Sequence, residues 1–260
     1  MPEPSTEPST ENKAPPPFPT LRTVKPTAPL VWLKRGWGDL CACPVPSLFY
    51  GICFAAMGYL LKFVFANAYQ YLSGLTSGFI LAGPFLAIGL YEISRRRERG
   101  EACSLGPTLA PWRANAAGIG VFSLILIVVF LVWARASLVI FALFYTSEIP
   151  TLAGFMQQVF AMENIEFLIV YFAVGFVFAA LVFAFSVISI PLMLDRDQDA
   201  VTAMIASVIV LTRNLPAMAL WAALIALALG FGLLTFFLGL IVTMPLVGHA
   251  TWHAYRDLTA

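Results

Sequence analysis

Long apolar runs along this chain alternate with short charged intervals. A helix needs about 20 mostly apolar residues to cross a hydrocarbon core about 30 Å thick. Runs of that kind occupy residues 47–66, 71–93, 116–140 and 167–194, the last long enough to tilt or protrude. The third is uncharged as far as Ala134. A final apolar block, Leu215 to Tyr255, holds 41 residues and as one helix would measure roughly 60 Å, twice the core. It is therefore expected to fold back. Gly230-Phe231-Gly232 offers the reversal, because glycine accepts the backbone angles of a tight turn. The block then supplies spans at 215–232 and 234–255, for a total of six.

Charge placement orients the spans. Lys13, Arg22, Lys25, Lys34 and Arg35 precede span one, and Arg95, Arg96, Arg97, Arg99 and Arg113 lie between spans two and three. Arg196 and Arg213 join spans four and five, and Arg256 follows span six. Of the 15 Lys and Arg residues, only Lys62 and Arg135 fall towards the other side, where each is close enough to a helix end to snorkel. The alternative for Arg135 is a buried counter-ion. The excess of basic residues predicts that both termini are cytoplasmic. The fold class is thus all-α: a polytopic transmembrane bundle of six spans, forming the membrane domain of residues 30–260.

Composition agrees with lipid as the main solvent: 60% of the residues are hydrophobic and 11% charged, with a net charge of +1, against about 25% charged in soluble proteins. So neutral a chain offers no field for nucleic acid. Residues 1–29 hold nine of the 18 prolines and read as a disordered cytoplasmic tail. They lack the basic start and apolar stretch of a secretory signal, so the first span is expected to stay as an anchor. Cys41, Cys43, Cys53 and Cys103 are read as reduced thiols, since Cys41-Ala42-Cys43 is too tightly spaced for a zinc pair. In the outer loop, Leu152, Phe155, Met156 and Val159 recur at helical spacing and suggest an amphipathic surface helix.

Spans two, four and six each carry a proline, Pro84, Pro191 and Pro245, before a polar exit on the cytoplasmic side. Spans one, three and five each follow a short amphipathic stretch, at 32–40, 105–115 and 201–214. The pattern suggests three transmembrane hairpins with interfacial helices. Prolines at similar depth would kink the spans and could open a cavity towards the cytoplasm.

The two histidines, His249 and His253, are one helical turn apart. That spacing lets two imidazoles face one metal, but two ligands are too few and a third would have to come from another helix. A polar cluster at the cytoplasmic face is the favoured reading, gathering Glu92, Arg95, Asp195, Arg196, Asp197, His249, His253 and Arg256. Within the spans the polar residues reduce to Thr76, Ser77, Ser123, Ser186, Ser189, Thr235 and Thr243. Ion-coupled carriers usually place ionisable groups there. No catalytic set is recognisable and no cofactor is implied.

From Trp37 to Tyr255 the chain resembles an uncharacterised family of mainly proteobacterial integral membrane proteins, a domain of unknown function. The likeness is carried by Gly36-Trp37, Ala82-Gly83-Pro84-Phe85, the run from Gly89 to Glu98, the run from Pro191 to Asp197, and the run from Met244 to Arg256. Some relatives bear automatic labels mentioning cytochrome oxidase subunit I. The resemblance implies a compact inner-membrane bundle. The expected role is non-catalytic: an accessory, assembly or scaffold component of an inner-membrane complex, with lipid and such a complex as partners. The alternatives are a transporter or channel for an apolar or weakly polar solute or lipid, and a haem or metal protein built on His249 and His253.

Overall fold

The computed structural model describes residues 18–67, 72–144 and 165–259. The amphipathic helix expected in the outer loop lies outside them. Among the described residues there are nine α-helices and no strand beyond an isolated antiparallel bridge, Leu21 to Thr259. They are α1 (Ala28–Ala42), α2 (Pro44–Asn67), α3 (Leu72–Glu98), α4 (Ala116–Phe144), α5 (Ile165–Ser186), α6 (Ser189–Arg196), α7 (Ala200–Arg213), α8 (Leu215–Leu234) and α9 (Leu240–Leu258). Two short 3-10 turns, Gly106–Leu109 and Pro111–Asn115, lead into α4.

Prolines set several boundaries. Pro44 pushes Cys43 out of the helical region, to φ −124° and ψ 58°, so α1 ends there and α2 restarts with proline in its first turn. The three span prolines behave differently from one another. Pro84 and Pro245 sit inside the continuous helices α3 and α9. One turn before Pro191, by contrast, the helix is interrupted by a turn at residues 187–188 that separates α5 from α6, where the ring displaces the preceding carbonyl. Asp199 caps α7 by accepting the amide of Thr202 at 3.0 Å, and the Thr202 hydrogen bonds hold its carboxyl below the usual range.

The reversal in the last apolar block is not at Gly230-Phe231-Gly232. Helix α8 continues to Leu234, and the chain turns over residues 235–239. Phe236 and Phe237 take the left-handed conformation there, at φ 53° and 68°. Thr235 stabilises the turn through its hydroxyl, donating to the Phe231 carbonyl at 2.8 Å and accepting the Gly239 amide at 2.8 Å. Gly232 serves packing instead: a Cβ there would stand 2.2 Å from the Leu240 side chain. Lys62 lies 5.6 Å from the centre of the exposed Phe236 ring, a cation–π contact. Arg135 is exposed on α4 and is no buried counter-ion.

Five stretches are long and apolar enough to cross a membrane: Pro44–Phe65, Leu75–Glu98, Gly106–Phe144, Ile165–Arg196 and Leu215–Leu234. Helix α9 is not among them, because its second half carries His249, His253, Arg256 and Asp257. Burial is strongly uneven. Trp32, Trp221, Trp252, Tyr255, Phe122, Leu192 and Met193 are fully enclosed in one core at the basic end, with Trp32 and Trp221 edge to face, their centroids 5.8 Å apart. The apolar windows of the third and fourth stretches are only 11% and 6% buried. Lipid is as apolar as leucine, so these side chains need no protein cover.

Helix α9 organises the bundle, packing most extensively on α1 and α2 and also on α8 and α3. At the same end the segment before α1 is stitched down. Arg22 donates its amide to the Leu258 carbonyl at 2.9 Å. Asn214 accepts the Val24 amide at 2.8 Å and donates to the Arg22 carbonyl at 3.2 Å and the Val210 carbonyl at 3.0 Å. Asn214→Ala should release this strap. With roughly 1 kcal/mol per lost bond, cleavage at Arg22 by limited trypsin treatment should accelerate severalfold, while the helical content measured by circular dichroism stays unchanged.

Cys43 and Cys103 are not separate thiols. They form a disulfide with Cα atoms 5.5 Å apart across 60 residues of sequence. It ties the α1–α2 corner to the connection between α3 and α4. Cys41 is free and exposed, and Cys53 free and half-buried.

Candidate functional site

Where α1, α2, α3 and α9 meet at the basic end, a layer of polar side chains crosses the core. Its centre is His249, fully buried on α9. The Nε2 atom lies 2.8 Å from the Ser47 hydroxyl on α2, and Nδ1 lies 2.8 Å from the Ser94 hydroxyl on α3. One turn later His253 Nε2 is 2.9 Å from Oδ2 of Asp39 on α1, whose Oδ1 is held by Arg97 of α3. Two sets of contacts therefore lie one helical turn apart: Ser47, His249 and Ser94, and then His253, Asp39 and Arg97.

Proton counting orders the first set. Each serine has one hydrogen, and the Asp39 carboxylate can only accept. Ser47 donates to the Cys43 carbonyl at 2.7 Å, so it accepts from Nε2 of His249, and Nδ1 then accepts from Ser94. That assignment satisfies every member with a neutral imidazole. The Cys43 carbonyl also receives the Ser47 amide at 3.3 Å. Burial pushes the Asp39 carboxyl up. The hydrogen bonds from His253 and Arg97, with the positive charge of His253, outweigh this and hold it below the usual carboxylate range.

A second network lies nearer the surface. Tyr255 donates to Asp195 Oδ2 at 2.7 Å, and Arg256 reaches the same oxygen at 3.7 Å. Arg256 also donates to Glu98 at 3.1 Å, and Glu98 accepts the Trp252 indole at 3.3 Å. Asp257 ties α9 back to α1 by accepting from Trp32 and Arg35, each at 2.9 Å. Arg95 pairs with Glu92 at 3.2 Å and donates to the Leu194 carbonyl at 3.2 Å, which links α3 to α6.

The residues singled out by sequence thus divide. Asp195 and Arg256 come together with Tyr255, which Arg196 also reaches. Glu92 and Arg95 form their own pair. Asp197 is an exposed left-handed cap of α6 with φ 53°. His249 and His253 turn to different partners, and neither meets Asp195 or Glu92. Among the described residues no three His, Cys, Asp or Glu side chains stand where they could hold one metal ion. With both ring nitrogens of His249 engaged by serines, its donor set does not fit a metal or haem iron.

Asp39, Ser47, Ser94 and Arg97 were not legible as members of this layer. One signal was available: Asp39 is the only acid between Glu11 and Glu92, and a lone acid beside apolar helices needs a partner. Ser47 and Ser94 carried no mark, since hydroxyls at span ends are common.

Several hydroxyls of the spans are spent on backbone carbonyls. Ser123 and Thr235 donate to carbonyls of their own helices at 2.9 and 2.8 Å, and Ser189 donates to the Phe185 carbonyl. A groove of about 300 Å³ is lined only by apolar side chains, among them Ile125, Phe185, Met204 and Val208.

Residues 71–195 match the family DUF2189, described as a predicted integral membrane protein. No curated protein and no solved structure matches the chain. The match takes in Glu92, Ser94, Arg95, Arg97 and Asp195, while Asp39, His249 and His253 lie outside it. The chain is a multi-pass, helical integral membrane protein similar to an uncharacterised membrane family.

Proposed function

We propose that this protein is a non-catalytic component of a bacterial inner membrane, acting as an accessory, assembly or scaffold part of a larger complex. The observation that carries the reading is the closure of its polar layer. His249, the most enclosed titratable side chain of that layer, spends both ring nitrogens on serines from two other helices, and Asp39 spends its oxygens on Arg97 and His253. Groups committed to one another in this way join helices. They are not held open for a substrate, as catalytic bases and ligands are. Small packing residues at the α9 contacts favour the same view.

Six crossings with cytoplasmic termini belong to this reading. Support comes from the pairing of Leu21 and Arg22 with Thr259 and Leu258. Residues 21 and 22 precede α2, and residues 258 and 259 end α9. Both lie on one face, which calls for an even number of crossings. With five long apolar helices, α9 makes the sixth, its polar half buried in the protein rather than in lipid. The basic residues at that face point to the cytoplasm.

A transporter would be favoured by hydroxyls lining a common cavity. Ser189 and Thr235 are instead bonded to carbonyls of their own chain segment. The test is purification in mild detergent from the native membrane, followed by mass spectrometry of what remains bound. Reproducible recovery of a respiratory or transport complex is the expected outcome. A lone chain carrying a stoichiometric solute, or a Soret band in its absorption spectrum, would overturn the scaffold reading.

A further inference from the structure

We infer that Cys43 and Cys103 form a reversible dithiol–disulfide couple, a redox-sensitive tie between the α1–α2 corner and the α3–α4 connection at the cytoplasmic face. The inference rests on the orientation proposed above. Two observations pull in opposite directions and the couple reconciles them. Cys103 shares a cleft with Arg96 and Arg97, in the basic run from Arg95 to Arg99, and basic flanks mark the cytoplasmic side. Thiols on that side are kept reduced, and disulfides formed there are usually transient. A bond that the fold brings within reach, in a compartment that opens it, is a switch rather than a staple.

The surroundings suit reversibility. The Cα separation of 5.5 Å is that of an ordinary disulfide, so closing the bond requires no rearrangement. Nor does opening it release the loop. Tyr50 donates to the Thr108 carbonyl at 2.7 Å, Arg96 pairs with Glu101 at 3.0 Å, and the Glu101 amide bonds to the Arg96 carbonyl at 2.9 Å. These contacts keep the two sulfurs adjacent in the reduced state. Access is one-sided, because Cys43 is 1% exposed whereas Cys103 is open to solvent. The same cleft leaves the Cys103 sulfur open to a small reagent.

The chemistry balances with a hydroperoxide as oxidant. The Cys103 thiolate attacks a peroxide oxygen; the O–O bond breaks, the released hydroxide takes a proton, and a sulfenic acid forms. The Cys43 sulfur then attacks the sulfenic sulfur, the S–O bond breaks, and a second water leaves. Two thiols and one hydrogen peroxide become one disulfide and two waters. In reverse, a small thiol attacks the exposed Cys103 sulfur and Cys43 leaves as thiolate and is protonated. A second small thiol then frees Cys103, and the two electrons leave as an external disulfide. The tie reaches the polar layer directly, since the Cys43 carbonyl is bonded by Ser47, the partner of His249.

The test uses the full-length protein in inside-out membrane vesicles. Samples are reduced with dithiothreitol, cleared of it, and divided with and without hydrogen peroxide. They are then denatured with a polyethylene glycol maleimide that adds one visible mass step per free thiol. Of four cysteines, two remain free when the bond is closed. The expected result is four steps after reduction, two after peroxide, and four again after dithiothreitol. Cys41→Ser should go from three steps to one, whereas Cys103→Ser should stay at three. Four steps after peroxide, a wild type fixed at two through reduction of the native vesicles, or loss of two steps in Cys103→Ser would each overturn the inference while leaving the orientation intact. Orientation is read separately by labelling Cys41 with a membrane-impermeant maleimide. Reaction in inside-out vesicles upholds it. Reaction only in right-side-out vesicles overturns both, because the pair would then face an oxidising compartment.

Discussion

Gly51→Ala is expected to destabilise the bundle severely, and Gly51→Leu to leave no monodisperse protein in detergent. At Gly51, on α2, a Cβ would lie 2.0 Å from the Ile241 carbonyl oxygen, 2.7 Å from its carbon and 2.9 Å from its Cα. All three are backbone atoms of α9, so no side chain can swing aside, and the two helices would have to separate. Overpacking of flexible side chains typically costs about 1–3 kcal/mol, and a backbone collision belongs at or above the top of that range. The cost also spreads, because α9 packs on α1, α2, α3 and α8. Thermal unfolding followed by tryptophan fluorescence, with size-exclusion profiles in detergent, provides the measurement. Gly78→Ala is the control: nothing lies within 4 Å of its added Cβ, and the change should be neutral or stabilising by up to about 1 kcal/mol through helix propensity. If Gly51→Ala melts with the wild type, the α2–α9 contact is not what holds the bundle.

Asp39→Asn is expected to cause the second largest loss, with a pH signature that a packing defect lacks. The Asp39 side chain is 4% exposed, and its charge is shared between Arg97 and His253. Removing one partner of a buried pair strands the other. Arg97 is 41% exposed and can turn towards water, so the expected loss is about 2 kcal/mol, below the full buried-pair figure. The sign follows from the lowered folded-state pKa. The stabilisation is complete above the ordinary carboxylate range and is lost as pH falls through the still lower folded value. Wild type should therefore lose stability on acidification, whereas Asp39→Asn should start lower and show a flatter acid limb. Melting temperatures between about pH 7 and pH 4 would show it. Parallel curves for the two proteins would mean that Asp39 is held by shape and not by charge.

The two effects were not equally visible in the sequence. Apolar runs of about 20 residues announce helices in lipid because no other open structure satisfies the backbone there, so α2, α3, α4, α5 and α8 could be read along the chain. Proline was legible as a mark on spans two, four and six. Its consequence inside a span could not be foreseen, since Pro84 and Pro245 are carried within intact helices while Pro191 is preceded by a break. The turn between α8 and α9 was misplaced for a related reason. Gly232 has the flexibility for a reversal, but it is needed where Leu240 packs, and Thr235 with two left-handed phenylalanines makes the turn.

Sequence by itself determined what depends on solvent: helices, apolar spans, and the gathering of positive charge towards one end, each a local consequence of exchanging side chains between water and lipid. Tertiary structure decided the partnerships. It joined Asp39 to His253 and Arg97, enclosed His249 between Ser47 and Ser94, paired Cys43 with Cys103 and fastened residues 21–24 to the end of α9. These choices bring together residues up to more than two hundred positions apart. They depend on where helices cross and which faces they bury, and neither hydropathy nor periodicity encodes that.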